Sequence, residues 1–285
     1  QGGCNPEPEG QKAGGEMNLR KWTAAVAVVL VSVSLAMHAQ AEPRQVRIVT
    51  QGFAPLQWDN AGKPDGYVAE YMLEVVDRVN RQIPVSVSSF EFLPWKRAIL
   101  LAESNPDVLF FSLSRTDARE QKFNWLGEVS PYGQYLYRLK SSPEVSVERL
   151  EDLLDLNLKI GVQDGGNLHS YLKQLKFDDT RHLMPLTDYR QGIEMLFLGR
   201  IDLLPLTGFL AEASACNQGY DGSQLEPVVF VEALAKPLWA VFSKGTDPEL
   251  VEAFKAEMAG LKDAGYLEER TRMHTASWQK RACGG

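Results

Sequence analysis

The residues best suited to chemistry in this sequence could grip a small anion, and they fall in three segments. The first is Ser112-Leu113-Ser114-Arg115-Thr116-Asp117-Ala118-Arg119, which follows the apolar run 107–111. If that run is a buried strand of a parallel sheet, the segment sits at its C-terminal end, where open α/β sheets hold ligands. There Arg119 can offer a planar fork to a carboxylate, and Ser112 and Ser114 can add hydrogen bonds. A surface arginine after a turn fits the same letters. The second segment is Gly161-Val162-Gln163-Asp164-Gly165-Gly166-Asn167. Gly165 and Gly166 allow close backbone approach, and free N–H groups at a helix start near Asn167 favour an anion. An ordinary tight turn reads the same way. The third is aromatic: Phe53, Trp58 and Trp95. Phe53 follows the first strand, so its ring could cover a ligand. For Trp58 and Trp95, core packing competes with a place in the cleft.

Catalytic constellations are scarce. His169, His182 and His274 stand apart, with no H-E-x-x-H and no Cys–His set at metal spacing. Each reads as a surface or capping residue. There is no G-x-S-x-G, no Walker A sequence and no G-x-G-x-x-G after a strand. The expectation is therefore a binding protein without metal or cofactor, with an enzymatic role left as the alternative.

These segments need a scaffold, and the hydrophobic periods supply one. Residues 46–49, 84–90 and 107–111 read as strands, and 66–79 and 95–102 as helices, giving β-α-β-α-β and a parallel sheet. The order returns with strands at 158–163, 182–186 and 201–206 and helices at about 167–175 and 189–198, which implies a second sheet. Two stretches, 123–140 and 227–244, could cross between the units. At the end, Asp247-Pro248-Glu249 opens a helix with apolar residues Leu250, Val251, Phe254, Met258 and Leu261, and a second helix spans 266 to about 273.

The 285 residues, 44% apolar and 24% charged, suit two modest globular units. Thirty basic against thirty-seven acidic residues, with no dense basic run, argue against a nucleic-acid partner. Residues 17–41 have the order of a signal peptide: a basic start at Arg20 and Lys21, a short apolar stretch, then Ala39-Gln40-Ala41 as the cleavage site. Residues 1–16 lack any core-forming pattern and read as upstream sequence. The exported chain would start at Glu42 as a soluble monomer, and Cys216 and Cys283 could pair or remain free.

The ordered set of Phe53-Ala54-Pro55, Gly66, Ser112-x-Ser114-x-Thr116-x-x-Arg119, Lys159-Ile160-Gly161-Val162, Gly199-Arg200-Ile201-Asp202 and the Asp247 helix resembles family 3 of the bacterial extracellular solute-binding proteins. The resemblance spans residues 42–275. It implies a periplasmic-binding-protein-like type II fold, with two lobes, each a mainly parallel sheet flanked by helices, joined by two hinge strands. Lobe 1 would be 42–130 and 239–285, and lobe 2 would be 131–238. It also implies a periplasmic receptor that hands a small solute to the membrane permease of an ABC importer. By that pattern Arg119 takes the ligand carboxylate, Phe53 stacks on the ligand, Ser112 and Ser114 assist, and Gly165, Gly166 and Asn167 contribute from lobe 2. Amino-acid-binding members place an aspartate for the ligand's ammonium where this sequence has Thr207. That departure points to a carboxylate-bearing or weakly cationic solute, and an amino-acid-like solute stays open where another aspartate, such as Asp164, substitutes. Dehydratases of cyclic dienyl acids share the same fold, and they are the enzyme alternative.

Overall fold

The computed structural model describes residues 1–3 and 42–283, with side chains through residue 280. The signal-peptide reading of 17–41 and nearly all of 1–16 lie outside the described residues. From residue 43 onward the chain forms a unit of its own. The first lobe is built on a five-stranded sheet ordered β4-β1-β5-β12-β6. Its strands are β1 (Arg44–Thr50), β4 (Val85–Phe92), β5 (Val108–Ser114), β6 (Phe123–Ser130) and β12 (Leu238–Ser243). β1 pairs in parallel with β4 and β5, and β12 runs antiparallel to β5 and β6.

The central strand β5 is buried from Val108 to Leu113, as expected where helices cover both faces. Alternation sends Leu109 and Phe111 into one cluster with Tyr71, Phe242 and Phe254, and Val108 and Phe110 into another with Val49, Trp95 and Val241. The helices were legible from their periods. α1 (Tyr67–Asn80) buries Tyr71, Met72, Val75 and Val79, and α2 (Trp95–Ser104) buries Trp95, Ala98 and Ala102. A short hairpin, β2 (Trp58–Asn60) with β3 (Lys63–Asp65), precedes α1. After β5 comes the one-turn α3 (Asp117–Glu120). In α7 (Pro248–Asp263) Asp247 is the N-cap, accepting from Glu249 N at 2.8 Å.

The chain leaves the first sheet after Ser130 and returns at Leu238, and these two residues are paired on neighbouring strands. Between them lie β7 (Gln134–Leu139), β8 (Ile160–Gln163), α4 (Asn167–Gln174), β9 (Leu183–Leu186), α5 (Tyr189–Phe197), β10 (Leu204–Thr207), α6 (Ala211–Cys216) and β11 (Leu225–Phe230). β8 and β9 are parallel, and Ile160 bridges in parallel to Leu203 just before β10. β7, in contrast, is antiparallel to both β10 and β11. The second unit therefore follows the expected β-α-β-α-β order along β9, β8 and β10. The antiparallel strands are those that carry the chain in from the first lobe and back to it.

α8 (Tyr266–Cys283) runs ten residues beyond the end read from the sequence. Its second half is polar, so periodicity gives no warning of it. Tertiary contacts hold it instead: Trp278 packs 5.5 Å from Trp58, and Gln279 Nε2 donates to Phe209 O at 3.3 Å in the second lobe. Cys216 is disulfide-bonded, and the Cys283 side chain lies outside the described residues.

Gly66 precedes α1 at φ 110°, in a region reserved for glycine, and a Cβ there would lie 2.4 Å from Leu56 O. Gly66→Ala is expected to lower the unfolding free energy by about 3 kcal/mol in a urea titration, through strain and displacement of the Leu56 backbone.

Candidate functional site

The strand ends of both lobes meet at a cleft containing two chambers. The inner one is a small cavity of about 40 Å³. Arg119, Ser112, Ser114, Phe53 and Trp95 line it from the first lobe, and Gly166, Asn167 and Tyr189 from the second. The outer one measures about 590 Å³ and includes Trp58, Phe92, Thr207 and Trp278. Phe53, Trp95, Gln51 and Tyr189 border both.

A kink in β5 aims the first lobe's contribution. Its pairing with β12 shifts register between Trp239 and Val241, and Ser112 adopts φ 62°, a left-handed conformation that costs a serine about 1 kcal/mol or more. Ser112 Oγ donates to Gln57 Oε1 at 2.8 Å, and Gln57 Nε2 in turn reaches Gln51 O at 3.3 Å. The Ser112 proton is therefore spent on the scaffold. Just beyond the kink, α3 carries Arg119 over the indole of Trp95 at 5.2 Å, and one Nη donates to Ser114 O at 3.1 Å. No ion pair to Arg119 is formed among the described residues. Burial pushes the guanidinium below its ordinary pKa, and Glu103 partly opposes the shift.

From the second lobe, α4 begins at the chamber. Gly166 is its N-cap and no side chain caps the end, so the first-turn N–H groups of Asn167 and Leu168 are left for whatever occupies the cavity. Gly165 sits behind this turn. Its N–H donates to His169 Nδ1 at 3.1 Å, and His169 Nε2 meets Asp179 Oδ1 at 2.8 Å. The Nδ1 acceptor role places the ring proton on Nε2. His169 is thus a capping residue that fixes the loop.

The lobes touch directly across the cleft. Gln163 Nε2 donates to Gln51 Oε1 at 2.6 Å, Trp95 Nε1 donates to Gly165 O at 3.1 Å, and Lys96 pairs with Asp164. Phe53 stacks on Tyr189 with centroids 5.3 Å apart and meets Tyr132 edge-on at 6.3 Å. The Phe53 face read as a ligand platform is thus shared with a ring of the opposite lobe. Tyr189 Oη accepts from Gln134 Nε2 at 3.2 Å and also bonds the Tyr132 hydroxyl. Burial drives the Tyr132 pKa well above the ordinary phenol value, with Tyr189 adding to the shift, and burial also raises Tyr189.

The structure therefore brings Arg119, Phe53, Ser112, Ser114, Trp95, Gly166 and Asn167 together at the inner chamber. It sets Gly165 behind the loop and Thr207 in the outer wall. Trp95 is both a core residue, 5% exposed, and a cleft residue, so the two readings of it coexist. The sequence reading missed Gln51, Gln163, Gln134, Tyr132 and Tyr189. The strand-end argument applied to Gln51 and Gln163 too, since one directly follows β1 and the other ends β8. Neutral amides simply carry no charge to draw attention. One cluster of metal-ligating types also went unseen: Asp65, Glu70 and His274, with ligand atoms within 4.8 Å of one another. Each already has a protein partner, Asp65 in Asn60 and Gly66 N, and Glu70 in His274 at 3.0 Å.

Two α/β lobes, two crossing segments and a ligand-sized cleft define the periplasmic-binding-protein-like fold of type II. No protein-family model matches the chain, and no curated protein does. Solved structures do. A histidine kinase sensor domain with similarity to periplasmic binding proteins is 17% identical, covering 82% of this chain and 97% of that one, with a TM-score of 0.68. An amino acid ABC transporter substrate-binding protein from Streptococcus pneumoniae, bound to L-arginine, is 18% identical over 82% of this chain and 95% of that one, at 0.66. An ancestral amino-acid-binding protein described as a precursor of cyclohexadienyl dehydratase is 17% identical over 81% and 95%, at 0.63. At these identities the likeness establishes the fold.

Trp95→Phe keeps the ring beneath Arg119 and removes the bond to Gly165. Backbone hydrogen exchange at 165–169 is expected to accelerate about fivefold, the equivalent of one ordinary hydrogen bond. Unchanged protection would mean that this bond does not hold the lobes together.

Proposed function

We propose that this chain is a family 3 solute-binding protein, exported by residues 17–41 with cleavage after Ala41. In this reading it works as a periplasmic monomer that captures a small carboxylate-bearing solute and presents it to the permease of an ABC importer. The observation that carries the reading is the partly buried guanidinium of Arg119, which has no carboxylate partner among the described residues and lines one cavity with the uncapped N-terminus of α4. Desolvating a charge without a counter-charge is costly, so such an arrangement favours an anion between the two. Capture proceeds by closure: the Arg119 fork takes the carboxylate, the first-turn N–H groups of α4 complete its shell, and the Gln51–Gln163 and Trp95–Gly165 bonds hold the lobes together. The lobe division follows from the same reading, with 42–130 and 239–285 moving against 131–238.

Among the described residues, the inner chamber is lined by no aspartate or glutamate. An α-ammonium would be buried there without counter-charge, which supports a carboxylate over a standard α-amino acid.

A thermal-shift series of monocarboxylates, followed by calorimetry on the tightest, tests the reading. Arg119→Gln should weaken that ligand at least a hundredfold, about 3 kcal/mol. Full affinity in this variant contradicts the assignment. The α-amino counterpart of the same carboxylate should bind wild type at least about tenfold more weakly. Equal binding would show that the ammonium finds a partner.

A further inference from the structure

Arg119 rides on α3, and α3 has little of its own to hold it. The helix is a single turn of four residues, Thr116 makes no side-chain cap at its start, and none of its residues is buried. One isolated turn fixes several backbone dihedrals for very few hydrogen bonds and does not persist unaided in water. With no apolar face to dock and no cap, its order has to come from contacts made at its ends. Arg115, which precedes the cap residue, supplies them. Its Nε and Nη2 donate to Glu120 Oε2 and Oε1 at 2.8 and 2.5 Å, which joins the chain before the turn to the last residue of the turn. The same guanidinium lies over two indoles, 4.7 Å from the Trp239 ring centre and 5.0 Å from that of Trp125, and those indoles meet edge to face at 6.1 Å. Trp125 Nε1 donates in turn to Glu120 O at 3.1 Å.

We propose that Arg115 is a positioning residue for the anion site: it bolts the one-turn helix to β6 and β12, so that the Arg119 fork is ordered before any ligand arrives. This rests on the anion reading of Arg119 and adds to it the source of that order. The two arginines differ in the way the assignment requires. Arg119 makes one neutral hydrogen bond, to Ser114 O, and no ion pair among the described residues, whereas Arg115 holds both oxygens of a carboxylate. Glu120, the acidic residue next to Arg119 in the chain, is thereby committed elsewhere. Its bonds from Arg115 hold the Glu120 carboxyl below the ordinary carboxylate range, so the pair is ionised at neutral pH. A half-exposed ion pair alone contributes little, but this one is bidentate and has two indole faces against its cation. Trp125 lies on β6 and Trp239 on β12, neighbouring strands of the first lobe's sheet, so the bolt is anchored in a rigid element. A lysine could carry the charge but has neither the planar fork nor the flat face that stacks.

The test reads order and affinity in the same proteins: wild type, Arg115→Gln, Arg115→Lys, Glu120→Gln and the double variant Arg115→Gln/Glu120→Gln, with thermal melts to verify folding. Backbone nitrogen relaxation of the ligand-free protein should give amide order parameters at residues 117–120 of about 0.85 in wild type, falling below about 0.6 in Arg115→Gln while β5 keeps its wild-type values. Propanoate and benzoate, titrated by calorimetry, should bind Arg115→Gln about tenfold more weakly, because the ligand then has to order the Arg119 side chain itself. Arg115→Lys should stay within about threefold of Arg115→Gln. Glu120→Gln should loosen the same turn, and the double variant should bind within about twofold of Arg115→Gln, since the two substitutions break one shared contact. Unchanged order at 117–120 in Arg115→Gln overturns the proposal. So does wild-type affinity in Arg115→Lys, which would show a charge acting at a distance rather than a bolt. If α3 loosens while both acids still bind through Arg119 at full strength, the turn does not position the fork and the proposal fails, although the anion reading stands. If neither acid binds wild type, or both bind Arg119→Gln equally well, the anion reading falls, and loosening of α3 would then show Arg115 to be a structural brace with no site to position.

Discussion

The guanidinium of Arg119 is a permanent charge partly withdrawn from bulk water, and among the described residues its contacts are an indole face and a carbonyl oxygen, with no ion pair. A cation–π contact and one neutral hydrogen bond recover only part of the hydration that burial removes. In the function proposed above the imbalance is the driving term for capture, because an arriving carboxylate supplies the counter-charge and bidentate geometry that the chain withholds. The uncapped first turn of α4 presents the same need from the other lobe. In that proposal an anion between the two features serves both, and a local electrostatic deficit becomes a force for closing the cleft.

The rest of the fold keeps that deficit in place. β5 is buried on both faces and so cannot shift, and its kink at Ser112 turns the chain toward the cleft where α3 begins. The buried amide of Gln57 locks the kink by taking the Ser112 proton. Adjacent antiparallel strands β6 and β12 carry both crossings, so the two connections between the lobes lie side by side. α8 adds a further constraint, since it begins on the first lobe and its Gln279 reaches the Phe209 carbonyl in the second. A helix as well as side chains across the cleft therefore ties the two lobes together.

Much of this architecture was legible in the sequence because it rests on period and position. The helical spacing of Tyr71, Val75 and Val79 and the apolar run at 108–113 gave α1 and β5 without tertiary information. Placing Ser112–Arg119 at a strand end brought Arg119 to the cleft. The second half of α8 was not legible, because its support comes from Trp58 and Phe209, each remote in sequence. The amide contacts of Gln51, Gln134 and Gln163 were hidden for a similar reason: a glutamine at a strand end looks the same whether it faces solvent or another lobe. Tyr189 illustrates the hardest case, since its stacking on Phe53 depends on how the lobes meet and on nothing local to α5.

The most direct measurement is a crystal structure of the protein with the tightest-binding monocarboxylate. The account predicts both carboxylate oxygens about 3 Å from the Arg119 fork, with the first-turn N–H groups of α4 completing their shell. A carboxylate bound elsewhere, with Arg119 turned toward solvent or paired to an acidic side chain of its own chain, would contradict it.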